Sequence, residues 1–417
     1  MNISALTVAI AIVLSSSSPA IQQKEIDYQS KNFKRWWDAE LEWQFDELPT
    51  QGGVPRFRIP YSGYIYLDAA GGTTHALHKY DLAFHSGQSL AASYEQRDVT
   101  AQQELTHERR GLFGLRRVGV YRTPSWHGHC NGWTAATIRH AEPQTSVTRN
   151  HVVFSPADIK ALLADTYMYN DHEFLGGIDD AINPGTLHVI IANWIGRGNH
   201  PVGMEATVGP EKWNYPVYAF STSSAKRSDR EVEVKMNIAF SDSTRQEYQH
   251  SPHLKRIKYF HYRLTLDEEG KIVGGGYFSD SSQIDMLWTP LRPTRTDEDE
   301  DDNNNNRSNP HVDVQEVLAI WRESVPKELR AKWFNIDPTE EDRIFDAGET
   351  LDSRVEADSE GVDAESELAS VDDGPVADAG TAADLNPETT TVSPEAPARP
   401  APAPLFRRLF GGRPRRR

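Results

Sequence analysis

Between Glu231 and Phe240 the apolar residues Val232, Val234, Met236, Ile238 and Phe240 alternate with mostly polar neighbours. Successive side chains of a strand point to opposite faces, so this period of two specifies a strand with one face on a core. RIKYFHYRLTL and KIVGGGYF follow, joined by DEEG at Asp267 to Gly270, and read as a hairpin. An antiparallel sheet thus closes the folded part of the chain, and the earlier elements must pack on it.

Those earlier elements are mainly helical in pattern. WWDAELEWQFDEL, Trp36 to Leu48, has apolar residues at helical spacing with acidic residues between them, and predicts an amphipathic helix. The polar stretch Val99 to Arg110 also predicts a helix, and PADIKALLADTYMY predicts one with Pro156 near its start. IPYSGYIYLDAAGGT, Ile59 to Thr73, carries Pro and Gly punctuation and reads as loop and extended chain. The apolar run TLHVIIANWIG, Thr186 to Gly196, predicts a buried strand, with PVGMEATVG as its antiparallel neighbour. Helices first and a mostly antiparallel sheet afterwards give an α+β fold class, with the folded domain over residues 21–292.

Beyond Leu291 the composition changes. DEDEDDNNNN lies in an acidic linker, 293–310, that buries too little apolar surface to offset its ordering entropy. Residues 311–345 return to helical spacing (VLAIW) and predict a small helical appendage. Residues 346–417, rich in Ala, Asp, Glu, Pro and Thr, predict a disordered acidic tail whose basic end, LFRRLFGGRPRRR, would suit an anionic surface. Much of the formal net charge of −17 belongs to these segments, and it argues against nucleic acid as a partner.

At the other end, the apolar run Ala5 to Leu14 is too short to span a bilayer and is followed by small residues at Ser18 and Ala20. Residues 1–20 therefore predict a signal peptide and a secreted or periplasmic protein. In such a compartment cysteines usually come in pairs, yet Cys130 is the only one, so no disulfide within the chain can form.

Cys130 lies in WHGHCNGWTAATIRHAEP, and three readings are open. His127 and His129 beside it could make a metal site, but no second ligand cluster with zinc spacing follows. An inert core thiol is common, but Gly128, Asn131 and Gly132 give this one a polar, Gly-rich surround. The third reading, a nucleophile, fits best: TAATI places Cys130 at a helix start, where unpaired N–H groups favour a thiolate. Such a nucleophile needs a histidine, and the histidine an orienting group. If the strands at Thr186 and Pro201 pair, His188 and Glu205 meet near Cys130. His200, in the turn GRGNHP, is the competing base. Trp126 and Trp133 flank the nucleophile and could line a substrate channel. Asp171, Asp179 and Asp180 offer hard oxygen ligands of the kind calcium takes, and no other cofactor is suggested.

WHGHCNGWTAATI, NPGTLHVIIANWIG, GMEATVGPEKWNYPVYAF, IPYSGYIYLD and HKYDLAF together resemble the oomycete elicitor-type transglutaminases and their bacterial relatives. KWNYPVYAF is similar to the Trp-Asn-x-Pro-Val segment that plants recognise in the oomycete proteins. The likeness spans Trp36 to Trp288. It implies a transglutaminase-like or papain-like cysteine hydrolase core and protein-glutamine γ-glutamyltransferase activity, cross-linking protein or peptide glutamines to primary amines through a cysteine thioester. It assigns Cys130 as nucleophile, His188 as base, and Glu205 to a position where such cores usually carry Asp. Trp213, Asn214 and Pro216 read as a structural turn. A secreted cysteine peptidase, amidase or deamidase with the same triad, and a non-catalytic binding module, are the alternatives.

Overall fold

A computed structural model describes residues 19–101, 104–110, 117–177, 181–293 and 308–333. Residues 1–18 of the expected signal peptide, the acidic run 294–307 and the tail after 333 lie outside the described residues. In chain order the elements are α1 (Gln23–Trp37), β1 (Gln51–Gly53), α2 (Thr74–Phe84), α3 (Ala91–Ala101), β2 (Glu104–Arg110), β3 (Arg117–Arg122) and α4 (Cys130–Arg139). Then come β4 (Val147–Arg149), β5 (Val152–Phe154), α5 (Pro156–Tyr167), β6 (His172–Gly176), α6 (Pro184–Ile191), β7 (Val202–Glu205), β8 (Asn214–Ser228) and β9 (Glu231–Ser241). The last are β10 (Lys255–Leu266), β11 (Ile272–Tyr277), β12 (Met286–Pro290), α7 (Val314–Ser324) and α8 (Lys327–Lys332).

Among the described residues the main sheet has eight strands in the order β11-β10-β9-β8-β7-β12-β6, with β1 added along β8. Every pairing in it is antiparallel. The expected strand and hairpin at 231–278 are β9, β10 and β11, and the α+β class with a mostly antiparallel sheet holds.

The sheet separates two cores. Strand β12 shows the division: Leu287 joins the core with α1 and α6, whereas Met286 and Trp288 join the core with α2, α4, α5 and α7. Neighbours on one strand face opposite ways, so α6 and α4 lie on opposite faces of the sheet.

The segment 186–196 departs from the strand reading. It is helix α6 continued by a π-helical turn, Ala192–Arg197. Asn183 caps the helix by accepting from the Gly185 N–H at 2.9 Å, and Pro184 occupies the first turn. Every α6 residue is buried, so the helix has no polar stripe and its sequence looks like that of a buried strand. Strand β7 instead pairs with β8 and β12.

Two earlier expectations also shift. Helix α1 starts at Gln23 and stops at Trp37, where Asp38 turns left-handed at φ 48°; Leu41, Trp43 and Leu48 still reach the core, but from non-helical chain. The expected helix at 99–110 is the end of α3 and then strand β2.

Residues 311–333 do not form a separate appendage. Val317, Leu318, Ile320 and Trp321 of α7 are buried in the same core as α4 and α5, and Trp321 donates its ring N–H to the Ala141 carbonyl at 2.9 Å. Asp313 caps α7 by accepting from the Gln315 N–H at 2.7 Å. The folded unit therefore extends past the expected end at 292.

Candidate active site

Cys130 is the first residue of α4, and its side chain is buried. Helix α4 comes very close to α5: a Cβ on Gly132 would lie 2.1 Å from the Ala164 carbonyl oxygen. A glycine here is what allows the two helices to touch, and it seats the α4 N-terminus against the sheet.

The thiol points at the turn into β8. Sγ donates to the Lys212 carbonyl at 3.5 Å, and the Asn214 side-chain N–H donates to Sγ at 3.7 Å. The backbone N–H groups of Asn214 and Asn131 also act on the sulfur and favour its thiolate form. The amide of Asn214 is held in this sense, because its Oδ1 accepts from the Trp288 ring N–H at 2.9 Å, leaving the NH₂ end toward the sulfur. Asn214 is thus in contact with the Cys130 sulfur rather than part of a merely structural turn.

Glu205 lies directly across from Asn214 in the β7/β8 register and is fully buried. Its Oε1 is 2.8 Å from the Lys212 ammonium, which also pairs with Asp285; the Asp285 N–H donates to the Glu205 carbonyl at 3.0 Å. Burial pushes the Cys130 thiol up from its usual range and the Glu205 charge adds to this, against the N–H groups that pull it down. The helix start alone therefore does not give a low-pKa thiol; desolvation outweighs it.

His188 is not part of this arrangement. It belongs to α6 on the opposite face, where its Nδ1 is 2.8 Å from the Tyr262 hydroxyl and its ring packs on Phe45. Burial lowers its pKa to about 4. The pairing of His188 with Glu205 assumed a strand at 186–196, and the helix removes that geometry. His200 is also elsewhere, buried rather than at the surface: Nδ1 donates to the Pro201 carbonyl at 2.7 Å and Nε2 accepts from Arg58 at 3.0 Å. His172 meets Trp288, the residue that holds the Asn214 amide, with ring centroids 5.6 Å apart.

Of the two tryptophans expected to line a channel, Trp133 is core. It is buried against Gly63, where a Cβ would meet its ring at 2.0 Å, and it meets Tyr215 edge-on. Trp126 is half-buried and stacks edge-on against His127 at 4.2 Å.

His129 and Cys130 diverge, so they cannot share one metal as a His127–His129–Cys130 site requires. The His129 ring instead faces Glu95 of α3 and Asp165 of α5. Among the described residues these three make a buried group whose ligand atoms lie within 4.8 Å of one another. Burial works against a charged His129, but Glu95, Asp68 and Asp165 outweigh it and push its pKa up. Burial, together with the Glu95 charge, pushes Asp165 up to about 7. Of the acidic trio proposed for calcium, Asp179 and Asp180 lie outside the described residues.

Residues 102–176, which contain Cys130, match the transglutaminase elicitor family. The fold is similar to that of the GP42 transglutaminase from Phytophthora sojae, with a TM-score of 0.57 and 20% identity over 73% of this chain and 99% of that one. The chain shares the fold of that transglutaminase, and its residues 102–176 are similar to the elicitor family. A search of curated proteins returned no match. The elicitor-type segment places Cys130 and the α4/α5 contact at its centre, whereas Glu205, Asn214 and Trp288 come from strands outside it.

Proposed function

We propose that this chain is a protein-glutamine γ-glutamyltransferase with Cys130 as nucleophile and Glu205 as the group that moves the proton. The observation that carries the reading is the Cys130 sulfur, at the start of α4, met by N–H groups of Asn131 and Asn214 beside the buried Glu205. Glu205 takes the thiol proton, and the thiolate attacks the side-chain carboxamide of a substrate glutamine. The N–H groups around the sulfur are placed to stabilise the developing oxyanion. Glu205 returns the proton to the departing nitrogen, ammonia leaves, and a thioester remains on Cys130.

A primary amine then attacks the thioester and gives its proton to Glu205, forming the isopeptide bond and releasing the thiolate. Water in place of the amine gives deamidation by the same steps. The substrates are proteins or peptides carrying glutamine, with a lysine-type amine as acceptor. The apolar run Ala5 to Leu14, followed by Ser18 and Ala20, supports reading the protein as secreted or periplasmic. Among the described residues no helix is long and apolar enough to cross a membrane.

The test is incorporation of a fluorescent primary amine into a glutamine-rich protein by the full chain, with Cys130→Ala and Glu205→Gln as controls. Incorporation that both variants lose supports the reading. Cys130-dependent ammonia release without amine incorporation makes the protein a deamidase, and new amino termini make it a peptidase. No incorporation, ammonia release or cleavage by the wild-type chain leaves a binding module.

A further inference from the structure

The group around His129 is not explained by the chemistry at Cys130. Glu95, His129 and Asp165 are 5%, 3% and 8% exposed, and they come from three different helices or their caps. His129 Nδ1 is 3.3 Å from the Tyr66 carbonyl, an acceptor only, so this nitrogen carries the hydrogen and donates. In the neutral ring the lone pair then sits on Nε2, which faces Glu95 Oε1 at 3.3 Å. A lone pair facing a carboxylate at that distance is repulsive unless the ring takes up a proton or a metal cation lies between or beside them. Neither Nε2 of His129 nor Oδ2 of Asp165 makes a hydrogen bond, although both atoms are buried.

The remaining contacts hold the carboxylates in place without neutralising them. Glu95 Oε1 accepts from the Thr73 N–H at 3.2 Å and from its hydroxyl at 3.3 Å. Asp165 Oδ1 accepts from the same hydroxyl at 3.1 Å. Asp68 Oδ1, 3.9 Å from His129 Nδ1, stands behind the ring on the side away from Nε2. The three groups border a void of about 10 Å³, also lined by Asp98 and Asn309, which is room for one water or one small ion.

We infer that Glu95, His129 and Asp165 form a binding site for one first-row divalent cation of the zinc class. One imidazole and two carboxylates around a void of this size match an ion of this class held by three protein ligands. Calcium, which takes six to eight oxygens, does not match that set. The Tyr66 carbonyl that accepts from Nδ1 is the kind of outer partner that orients a ligating histidine. The site ties α3, the start of α4 and α5 together, and since His129 is the N-cap of α4 the ion fixes where Cys130 begins. It is a positioning site, and its existence does not depend on the proposed acyl transfer.

The experiment uses the full chain stripped with a chelator, then titrated calorimetrically with zinc alone and with calcium alone, with metal content measured after gel filtration. The expected result is one zinc per chain, a melting temperature that rises with zinc, and affinity about 10- to 100-fold weaker in Glu95→Gln and in Asp165→Asn. These near-isosteric variants are checked for native near-ultraviolet dichroism and are preferred to His129→Ala, which removes the residue at the α4 N-cap. No stoichiometric zinc in the wild type overturns the inference, as does equal zinc affinity in the folded Asp165→Asn. Binding of calcium in preference to zinc overturns it too. A chelated protein that Asp165→Asn stabilises, with no zinc bound by either form, identifies a proton shared within an imidazolium–carboxylate cluster instead.

Discussion

Removing the Asn214 side chain should damage stability and reactivity together, because one amide joins two buried partners. In Asn214→Ala the Trp288 ring N–H, at 4% exposure, loses its acceptor and the Cys130 sulfur loses a donor. An orphaned buried donor costs about 1–3 kcal/mol, which is the expected drop in unfolding free energy by urea titration. If the same amide acts on the charge that develops during attack, turnover of a glutamine peptide falls by a further factor of about 10²–10³. Trp288→Phe removes the group that orients the amide but leaves the amide in place, so its loss of turnover should be smaller. In the double mutant the two stability losses should not add; contacting residues of this kind couple by about 0.5–3 kcal/mol. The reasoning fails if Asn214→Ala alkylates and turns over at the wild-type rate, or if the two losses sum without coupling.

Alkylation of Cys130 by iodoacetamide should rise as pH goes from neutral into the alkaline range, since burial pushes the thiol up; rapid labelling below neutral pH would contradict this. His188→Gln should leave amine incorporation within a few-fold of wild type while lowering stability, because its partner is Tyr262 on the other face. His188 and His172 are held neutral in the fold, with pKa lowered by burial to about 4 against an ordinary 6.5. The unfolded chain binds those protons first, so stability is full above about pH 6.5 and falls toward pH 4, by about 3 kcal/mol per histidine; a flat urea midpoint from pH 7.5 to 5 refutes it. Gly132→Ala forces α4 off α5 at the Ala164 carbonyl and should cost about 1–3 kcal/mol, seen as a lower melting temperature. A chain ending at residue 293 should lose cooperative unfolding, because it strips Val317, Leu318, Ile320 and Trp321 from the core.

The sheet at 231–278 was legible because half-buried strands write their period directly into the sequence, as Val232 to Phe240 do. The Cys130 helix start was legible for a similar reason: Gly128 and Gly132 bracket the cysteine and TAATI follows. The 186–196 segment misled because a helix buried on all sides shows no polar stripe, and only NPG ahead of it carried the helix signal. That error moved His188 to the wrong face of the sheet and hid the partners the cysteine has. Asn214 was in view inside KWNYPVYAF, but its role depends on the β7/β8 register and on Trp288, about seventy residues further on. The Glu95, His129 and Asp165 group was out of reach for the same reason, since its members share no local motif. Val314 to Ser324 was read correctly as a helix, but an acidic run before it suggested separation, and only the packing of Trp321 shows that it belongs to the core.

Intact-mass and peptide-level mass spectrometry of the full chain, quenched in acid after mixing with a glutamine peptide and no amine, tests the central claim most directly. The account predicts an acyl adduct equal to the peptide minus ammonia, carried on Cys130, discharged by added amine to an isopeptide product, formed by His188→Gln and greatly slowed in Glu205→Gln. No adduct on Cys130 while ammonia is still released, or an adduct that His188→Gln abolishes and Glu205→Gln leaves intact, would contradict it.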